Sequence, residues 1–216
     1  MRFDLDPATP QISYKLLAST VTPRPIAWIT TLSKDGLVNA APYSFFNAMG
    51  HTPPTVAVGL LADPAKGFKD TARNILDTGE FVVNLVPEAL AEAMNITCVN
   101  APAQVSEMEL AGLEAAASEH VAPPRIKASP VSFECVTLSS VVTGPQQTIV
   151  IGRVLAVHIE DRYVLDAERA HVDTPALGLI GRMHGAGWYA RSHDQFQLAR
   201  PVWSTEPGSG AGGPGG

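Results

Sequence analysis

Short runs of β-forming residues separated by turn residues occupy the first half of the chain. In residues 26–32 (IAWITTL) apolar side chains fill both alternating sets of positions, which is typical of a strand covered on both faces. Residues 33–36 (SKDG) carry an Asp-Gly hairpin signal, so residues 38–41 should begin the return strand. Residues 55–61 and 80–86 are equally rich in β-forming side chains, and they predict two further strands.

A short helix is predicted between the last two of these strands. Asp70 or Thr71 can cap its start, and Gly79 supplies its end. Residues 88–117 are rich in Ala, Glu and Met, so we expect two helices there.

The second half of the chain predicts two long strands over residues 131–138 and 148–159. A short hairpin arm is expected at residues 163–165, followed by irregular chain over residues 175–189.

Six or seven strands with helices inserted late make the protein mainly β with helical insertions, and a barrel is the architecture that fits best. A parallel sheet would need a helix after nearly every strand, and the first three predicted strands have none between them. We expect one domain over residues 1–204. Residues 205–216 are Gly- and Pro-rich, and we expect a disordered tail there.

Composition and charge narrow the classes of function. The chain has 216 residues and a net charge of −6 with no basic run, which argues against a nucleic-acid partner. It has no apolar run near the ~20 residues of a membrane span and no secretory signal, so we expect a cytoplasmic protein without membrane attachment. Cys98 and Cys135 are expected to be reduced thiols in the core.

Common catalytic and metal motifs are missing or misplaced. The spacing of Gly208, Gly210 and Gly213 matches G-x-G-x-x-G, but it lies in the terminal tail without a strand before it or a helix after it. The six histidines show no metal-ligand spacing, and no side chain is a clear catalytic candidate. His184, among glycines, could orient a redox ring or be an ordinary loop histidine.

Two neighbouring segments near the amino end indicate a flavin nucleotide site. Residues 22–31 (TPRPIAWITT) and 39–47 (NAAPYSFFN) bring together an arginine, hydroxyl and amide groups, and aromatic rings. Arg24 lies between two prolines that fix its backbone, so its guanidinium suits a phosphate, although a surface salt bridge is an equal alternative.

Other polar residues have a second interpretation as well. Ser44 can donate to a ligand or cap a turn. Lys69, Asp70 and Thr71 open the predicted helix, whose N-terminus attracts anions, but Asp70 is expected to act mainly as the helix cap.

Four motifs in order, residues 22–31, 39–47, 69–85 and the late Gly-Arg-Val of residues 152–154, resemble the flavin reductase-like domain family. The resemblance covers about residues 14–189 and implies an FMN-binding split β-barrel, a homodimer with the flavin near the interface. The positions that it places at the flavin are Arg24, Pro25, Ile26, Ala27, Ala41, Pro42, Tyr43, Ser44, Phe45, Phe46, Lys69, Asp70 and Thr71. The family's glycine pair before a tyrosine is replaced by residues 184–189 (HGAGWY), which leaves the role of His184 open.

The resemblance implies two functions that the sequence does not separate, and a flavin-free structural dimer that retains only the barrel is a third possibility. The first is an NAD(P)H:flavin oxidoreductase, with FMN as cofactor, NADH or NADPH as electron donor, and a monooxygenase or another molecule as acceptor. The second is a flavin-binding electron carrier that a protein partner reduces. In both, the isoalloxazine does the chemistry, while the protein binds and orients it.

Overall fold

A computed structural model describes residues 1–62, 67–102, 104–144, 147–201 and 203. The predicted tail of residues 205–216 lies outside the described residues. The main feature is a seven-stranded antiparallel sheet, in the order β2-β1-β5-β8-β9-β4-β3. Its strands are β1 (Ala27–Leu32), β2 (Val38–Tyr43), β3 (Phe46–His51), β4 (Pro54–Leu61), β5 (Glu80–Asn84), β8 (Val131–Gly144) and β9 (Gln147–Ile159).

Helices and short hairpins surround this sheet. The helices are α1 (Pro10–Thr20), α2 (Asp70–Thr78), α3 (Ala91–Ile96) and α4 (Glu107–Leu110), with 3-10 turns at Glu88–Leu90 and Asp161–Tyr163. Three two-stranded sheets pair β6 (Ala115–Ala116) with β7 (Arg125–Ile126), β10 (Val164–Asp166) with β11 (His171–Val172), and β12 (Ile180–Arg182) with β13 (Tyr189–Arg191). The predicted class, mainly β with helical insertions, is confirmed.

The sheet is curled into a barrel, and the connection between β2 and β3 shows where it closes. These two strands form opposite edges of the sheet, yet only Ser44 and Phe45 separate them in sequence. Three consecutive Cα–Cα steps span at most about 11 Å, so the two edges must meet there. The Phe45 carbonyl accepts a hydrogen bond from the Gly59 N–H of β4 at 2.7 Å. We call this closure of the barrel, at residues 42–45, the seam.

Two hydrophobic cores lie on the two faces of β1. Ala27 and Ile29 point into the barrel, where they pack with Phe81, Leu60 and other buried side chains. Ile26 and Trp28 point outward and are covered by Met94 of α3, Met108 of α4 and neighbouring residues. This confirms the prediction of a strand covered on both faces, because side chains alternate sides along a strand.

One buried carboxylate, that of Glu134, bonds to several groups of the barrel scaffold. Glu134 on β8 is fully buried, and its carboxylate accepts hydrogen bonds from the backbone N–H groups of Glu119 (2.8 Å) and His120 (2.6 Å). His158 Nε2 on β9 lies 2.5 Å from the same carboxylate. Burial alone would raise the pKa of Glu134, but these three partners outweigh it, and the pKa is lowered.

Helix α2 ends as predicted but begins one residue earlier than expected. Gly79 takes the left-handed conformation (φ 76°) at the C-cap, which glycine adopts without steric cost. The N-cap is Lys69, and neither Asp70 nor Thr71 caps the helix. Asp70 instead pairs with Arg73 at 3.0 Å, and the side chain of Thr71 is buried.

Several elements differ from the sequence prediction. The pattern missed α1 altogether, and it missed β3, whose side chains are mostly exposed and therefore carry no alternation of apolar and polar residues. Strand β8 extends to Gly144, and β12 and β13 form a hairpin partly inside the stretch expected to be irregular.

Two further expectations concern the burial of the thiols and the presence of a membrane-spanning helix. Cys135 is buried as predicted, whereas the prediction that Cys98 lies in the core is wrong, because it follows α3 on an exposed turn. The described part of the chain contains no helix long and apolar enough to cross a membrane.

Candidate functional site

Three neighbouring cavities meet at the seam, and all three are lined by Pro42 and Tyr43. Their volumes are about 260, 390 and 270 Å³. The first faces the N-terminus of α2, the second lies between Tyr14 of α1 and Gly59 of β4, and the third reaches Arg182 of β12. We call these three cavities together the seam groove.

The N-terminus of α2 supplies a cationic end to the seam groove. Lys69 lines two of the cavities and is exposed, with its Nζ 3.4 Å from Asn100 Oδ1. The first turn of a helix leaves backbone N–H groups without intrahelical partners, and the helix dipole makes this end positive. The Asp70 carboxylate nearby is partnered by Arg73, so Lys69 is left to meet an anion.

Tyr43, at the end of β2, lies in the middle of the groove. Its hydroxyl is hydrogen-bonded to the Thr71 side chain, and Thr71 Oγ1 accepts a bond from Asn39 Nδ2 at 2.7 Å. Burial raises the pKa of Tyr43 to about 12. The phenol therefore stays neutral at any physiological pH, and the wall of the groove carries no tyrosinate charge.

Glu107 of α4 lies against the same part of the groove. Its side chain is buried, and its Oε2 accepts a long hydrogen bond of 3.3 Å from the Ala40 N–H. Burial raises the pKa of Glu107, and the negative charge of Asp70 raises it further.

Arg24 does not present its guanidinium to the seam groove. Its Nη1 donates to the carbonyls of Ala18 (2.6 Å) and Val21 (2.7 Å), and Nη2 donates to the Met183 carbonyl (3.0 Å). Its Nε lies 3.3 Å from Ser44 Oγ, and only 5% of the residue is exposed. Arg24 therefore joins α1, the β12–β13 hairpin and the seam. Within the described residues it forms no salt bridge, and its contact with a phosphate stays a prediction.

Comparison with known proteins identifies the family of this chain. Residues 19–174 match the model of the flavin reductase-like domain. The chain belongs to this family. An uncharacterised protein of Deinococcus radiodurans is 43% identical over 208 residues, covering 94% of this chain and 90% of that protein.

Solved structures show the same fold. Nitrilotriacetate monooxygenase component B from Bacillus cereus aligns with a TM-score of 0.83 and 33% identity, covering 92% of this chain and 99% of that one. The 2-nitrobenzoate 2-nitroreductase NbaA of Pseudomonas fluorescens aligns with a TM-score of 0.83 and 32% identity, covering 95% and 100%. More distant split-barrel structures align as well, which confirms the predicted split barrel.

The flavin reductase-like chain brings most of the predicted site residues together at the seam. Those that line the groove are Ile26, Ala41, Pro42, Tyr43, Ser44, Phe45, Lys69, Asp70 and Thr71. Their contact with a flavin stays a prediction, since it follows from the resemblance.

The other predicted positions lie elsewhere. Pro25 lines a separate cavity beside the β12–β13 hairpin, Ala27 is fully buried in the barrel, and Phe46 packs against the barrel core. His184 lies exposed in the turn of that hairpin, its ring stacked on Trp188 with centroids 6.1 Å apart, and none of the three groove cavities is lined by it.

Sequence reasoning missed groove residues that come from distant parts of the chain. The ring of Tyr14 on α1 lies 6.0 Å from that of Phe45, and Asn95, Cys98 and Arg182 line the third cavity. The helix that carries Tyr14 could have been predicted, because Thr9 followed by Pro10 is typical of a helix start. No local pattern pointed to the other three residues.

Proposed function

We propose that this flavin reductase-like protein binds FMN in the seam groove and acts as an NAD(P)H:flavin oxidoreductase. The observation that carries the proposal is the placement of Lys69 and the N-terminus of α2 at one end of a groove that Pro42, Tyr43, Ser44 and Phe45 line. A phosphorylated ring system needs both parts, a cationic end and an apolar slot for the ring.

The groove residues fit FMN by their chemistry. Lys69 and the free N–H groups of α2 suit the phosphate. Pro42, Phe45 and Tyr14 offer apolar surface for the ring system, while Ser44 and Tyr43 offer neutral polar groups beside it. Burial raises the pKa of Tyr43 to about 12, so the phenol beside the ligand is uncharged and does not repel an anion.

Bound FMN would supply the redox chemistry by accepting hydride from a reduced nicotinamide. The protein's own residues then have binding and orienting tasks. Lys69 holds the phosphate, residues 42–45 fix the plane of the ring, and the bond network of Arg24 keeps Ser44 in position. Hydride transfer itself needs no acid or base side chain, so no catalytic side chain is assigned.

The named activities of the structural neighbours support an enzyme rather than a carrier. One neighbour is called a monooxygenase component and the other a nitroreductase, and both exceed 30% identity. We infer that reduced flavin is used either by a partner oxygenase or by a small acceptor that enters the groove.

The first experiment tests flavin binding and the phosphate position. We expect Lys69→Met to weaken FMN binding about tenfold, which is about 1.4 kcal/mol, because one charge-assisted contact is lost. Riboflavin, which lacks the phosphate, should bind the variant as it binds the wild type. Titration followed by flavin fluorescence measures both.

Lys127→Met is the matched control, because Lys127 is an exposed lysine paired with Glu114 and lines none of the groove cavities. Equal losses of FMN and riboflavin in Lys69→Met would remove the phosphate from this position. Wild-type protein that binds neither flavin would end the proposal.

The second experiment separates the reductase from the carrier. Anaerobic mixing of the FMN-loaded protein with NADH, and separately with NADPH, should bleach the flavin absorbance within seconds. A flavin that stays oxidised with both donors would favour the electron carrier that a protein partner reduces.

We also propose a homodimer. The outer part of β8 exposes Leu138, Val141 and Val142, and the edge strand β3 exposes Met49. Apolar side chains along a free sheet edge are suited to a second copy of the chain. We expect wild-type protein to elute as a dimer in size exclusion with light scattering, and Val142→Asp to shift it to monomer. A monomeric wild type contradicts the proposal.

A further inference from the structure

Arg182 of β12 is the one arginine among the residues of the third groove cavity, and the proposed function gives it no task. The cavity of about 270 Å³ lies beside Pro42, Tyr43 and Ser44, and Lys69 does not line it. Its other lining residues are Tyr14, Ile26, Met94, Asn95, Cys98, Gly187 and Tyr189. No Asp or Glu is among the residues that the structure places around this cavity.

The guanidinium of Arg182 is oriented but not neutralised. It lies over the ring of Tyr189 at 4.9 Å and donates to the carbonyls of Gly185 (3.1 Å) and Trp188 (3.5 Å) within its own hairpin. A guanidinium has five N–H donors. In the described part of the chain, no carboxylate forms an ion pair with Arg182.

Most of the other arginines have a partner, while Arg125, Arg153 and Arg200, which form no ion pair within the described residues, line none of the groove cavities. Five arginines pair with a carboxylate: Arg2 with Asp4, Arg73 with Asp70, Arg162 with Glu160, Arg169 with Asp166 and Arg191 with Glu88. Arg24 lies close enough to Arg182 that the two positive charges repel each other, and Arg24 donates to three backbone carbonyls and to Ser44 Oγ. The positive charge at this side of the groove is thus uncompensated in a chain whose net charge is −6.

We propose that Arg182 binds the anionic group, a carboxylate or a phosphate, of the second substrate that enters the seam groove beside the flavin. This inference rests on the proposed function. It names Arg182 as a specificity-determining residue, distinct from Lys69, for substrates that combine a flat ring with a negative charge.

The surroundings of Arg182 favour this class of ligand. Tyr14, Tyr43 and Tyr189 supply ring surface, Ile26 and Met94 supply an apolar floor, and Asn95 supplies an amide. Arginine presents its donors as a planar fork that matches the two oxygens of a carboxylate or phosphate. Stacking on Tyr189 limits the motion of the Arg182 guanidinium, so less conformational entropy is lost when an anion binds.

Benzoate tests whether the anion that Arg182 binds is a carboxylate. Benzamide, which has the same shape without the charge, is the comparison. Binding to the full-length protein is measured by calorimetry with and without FMN. We expect wild type to bind benzoate at least tenfold more tightly than benzamide. Arg182→Met should abolish that preference and leave the FMN affinity unchanged, and Arg182→Lys should restore part of it.

NADH tests whether the anion that Arg182 binds is a phosphate of the electron donor. Reduced nicotinamide riboside, which carries no phosphate, is the comparison. If the anion belongs to the electron donor, Arg182→Met should raise the KM for NADH about tenfold or more and leave the KM for the riboside unchanged. A charge preference lost from either pair of ligands supports the proposal and identifies the source of the anion.

Arg162→Met is the matched control, because Arg162 also lies over a tyrosine, Tyr163 at 4.6 Å, but lines none of the groove cavities. It should change neither pair of affinities. If neither pair depends on Arg182, or if Arg182→Met weakens charged and uncharged ligands alike, the proposal is overturned. The FMN titration of the wild type reports the failure of flavin binding separately.

Discussion

Charged side chains of the barrel scaffold bond to the protein itself, whereas two cations of the seam groove have no ionic partner in the described part of the chain. In the scaffold, Arg24 bonds to three backbone carbonyls, and Glu134 accepts from two backbone N–H groups with His158 at 2.5 Å. In the groove, Lys69 and Arg182 have no carboxylate partner within the described residues. The scaffold charges are thus satisfied by the protein, and the groove charges are available to a ligand.

This difference separates a structural from a binding role better than residue type does. Removing a buried partner leaves other buried groups unsatisfied and lowers the free energy of unfolding. Removing an exposed charge costs little stability and changes only what the protein binds. Substitutions in the scaffold are therefore expected to change stability most, and changes at the groove least.

The largest effect is expected in the barrel core. A Cβ added at Gly152 of β9 would overlap the Phe81 ring, which is fully buried and cannot move aside. We expect Gly152→Val to lower the free energy of unfolding by about 3 kcal/mol or more. Urea denaturation measures it, with Gly144→Ala as control, since a Cβ there has no neighbour within 4 Å. Unchanged stability of Gly152→Val would mean that the core is looser than the structure shows.

The next largest effect is expected at Arg24. Arg24→Met leaves the carbonyls of Ala18, Val21 and Met183 without their donor, and we expect a loss of about 2–4 kcal/mol in unfolding free energy. FMN and riboflavin affinities should fall together, since the change acts through the position of Ser44. A stable variant that loses FMN alone would return Arg24 to the phosphate site and remove the contrast with Lys69.

A smaller effect, dependent on pH, is expected at Glu134. Its pKa is lowered in the folded state, so its contribution to stability is present above the unfolded pKa of roughly 4.3 and is lost as the pH falls through the folded pKa. We expect Glu134→Gln to be about 2 kcal/mol less stable at pH 7. Urea curves from pH 7 to pH 3 should converge for the two proteins; parallel curves would show that Glu134 does not titrate with folding.

The smallest effect concerns the two thiols, where no change in stability is involved. Cys98 is exposed, although partial burial of its thiol raises the pKa above the ordinary value, while deeper burial raises the pKa of Cys135 to about 12. Because the thiolate is the reactive form, a disulfide reagent such as DTNB should modify one thiol per native chain and the second only after unfolding. Mass spectrometry of the native product should locate the label at Cys98, and a label on Cys135 would contradict its burial.

Local patterns in the sequence determined the strands of the barrel and the segment at its seam. Residues 26–32 and 80–86 are β-forming on both faces, so they form central strands in almost any arrangement that covers them. Four motifs marked the family, and six of the nine predicted positions that line the groove come from residues 22–31 and 39–47, the other three being residues 69–71. Gly79 ended α2 because few other residues adopt its backbone conformation.

Tertiary structure alone decided which charges face a ligand. Arg24 and Arg182 each lie next to a residue with special backbone geometry, but Arg24 donates to the carbonyl of the distant Met183 as well as to Ala18 and Val21, whereas Arg182 donates only within its own hairpin. Strand β3 has little β propensity of its own and forms because β4 pairs with it at the barrel edge. Tyr14, Cys98 and Arg182 meet at the groove only after the sheet closes, since such contacts depend on how the whole chain packs and leave no trace in a local pattern.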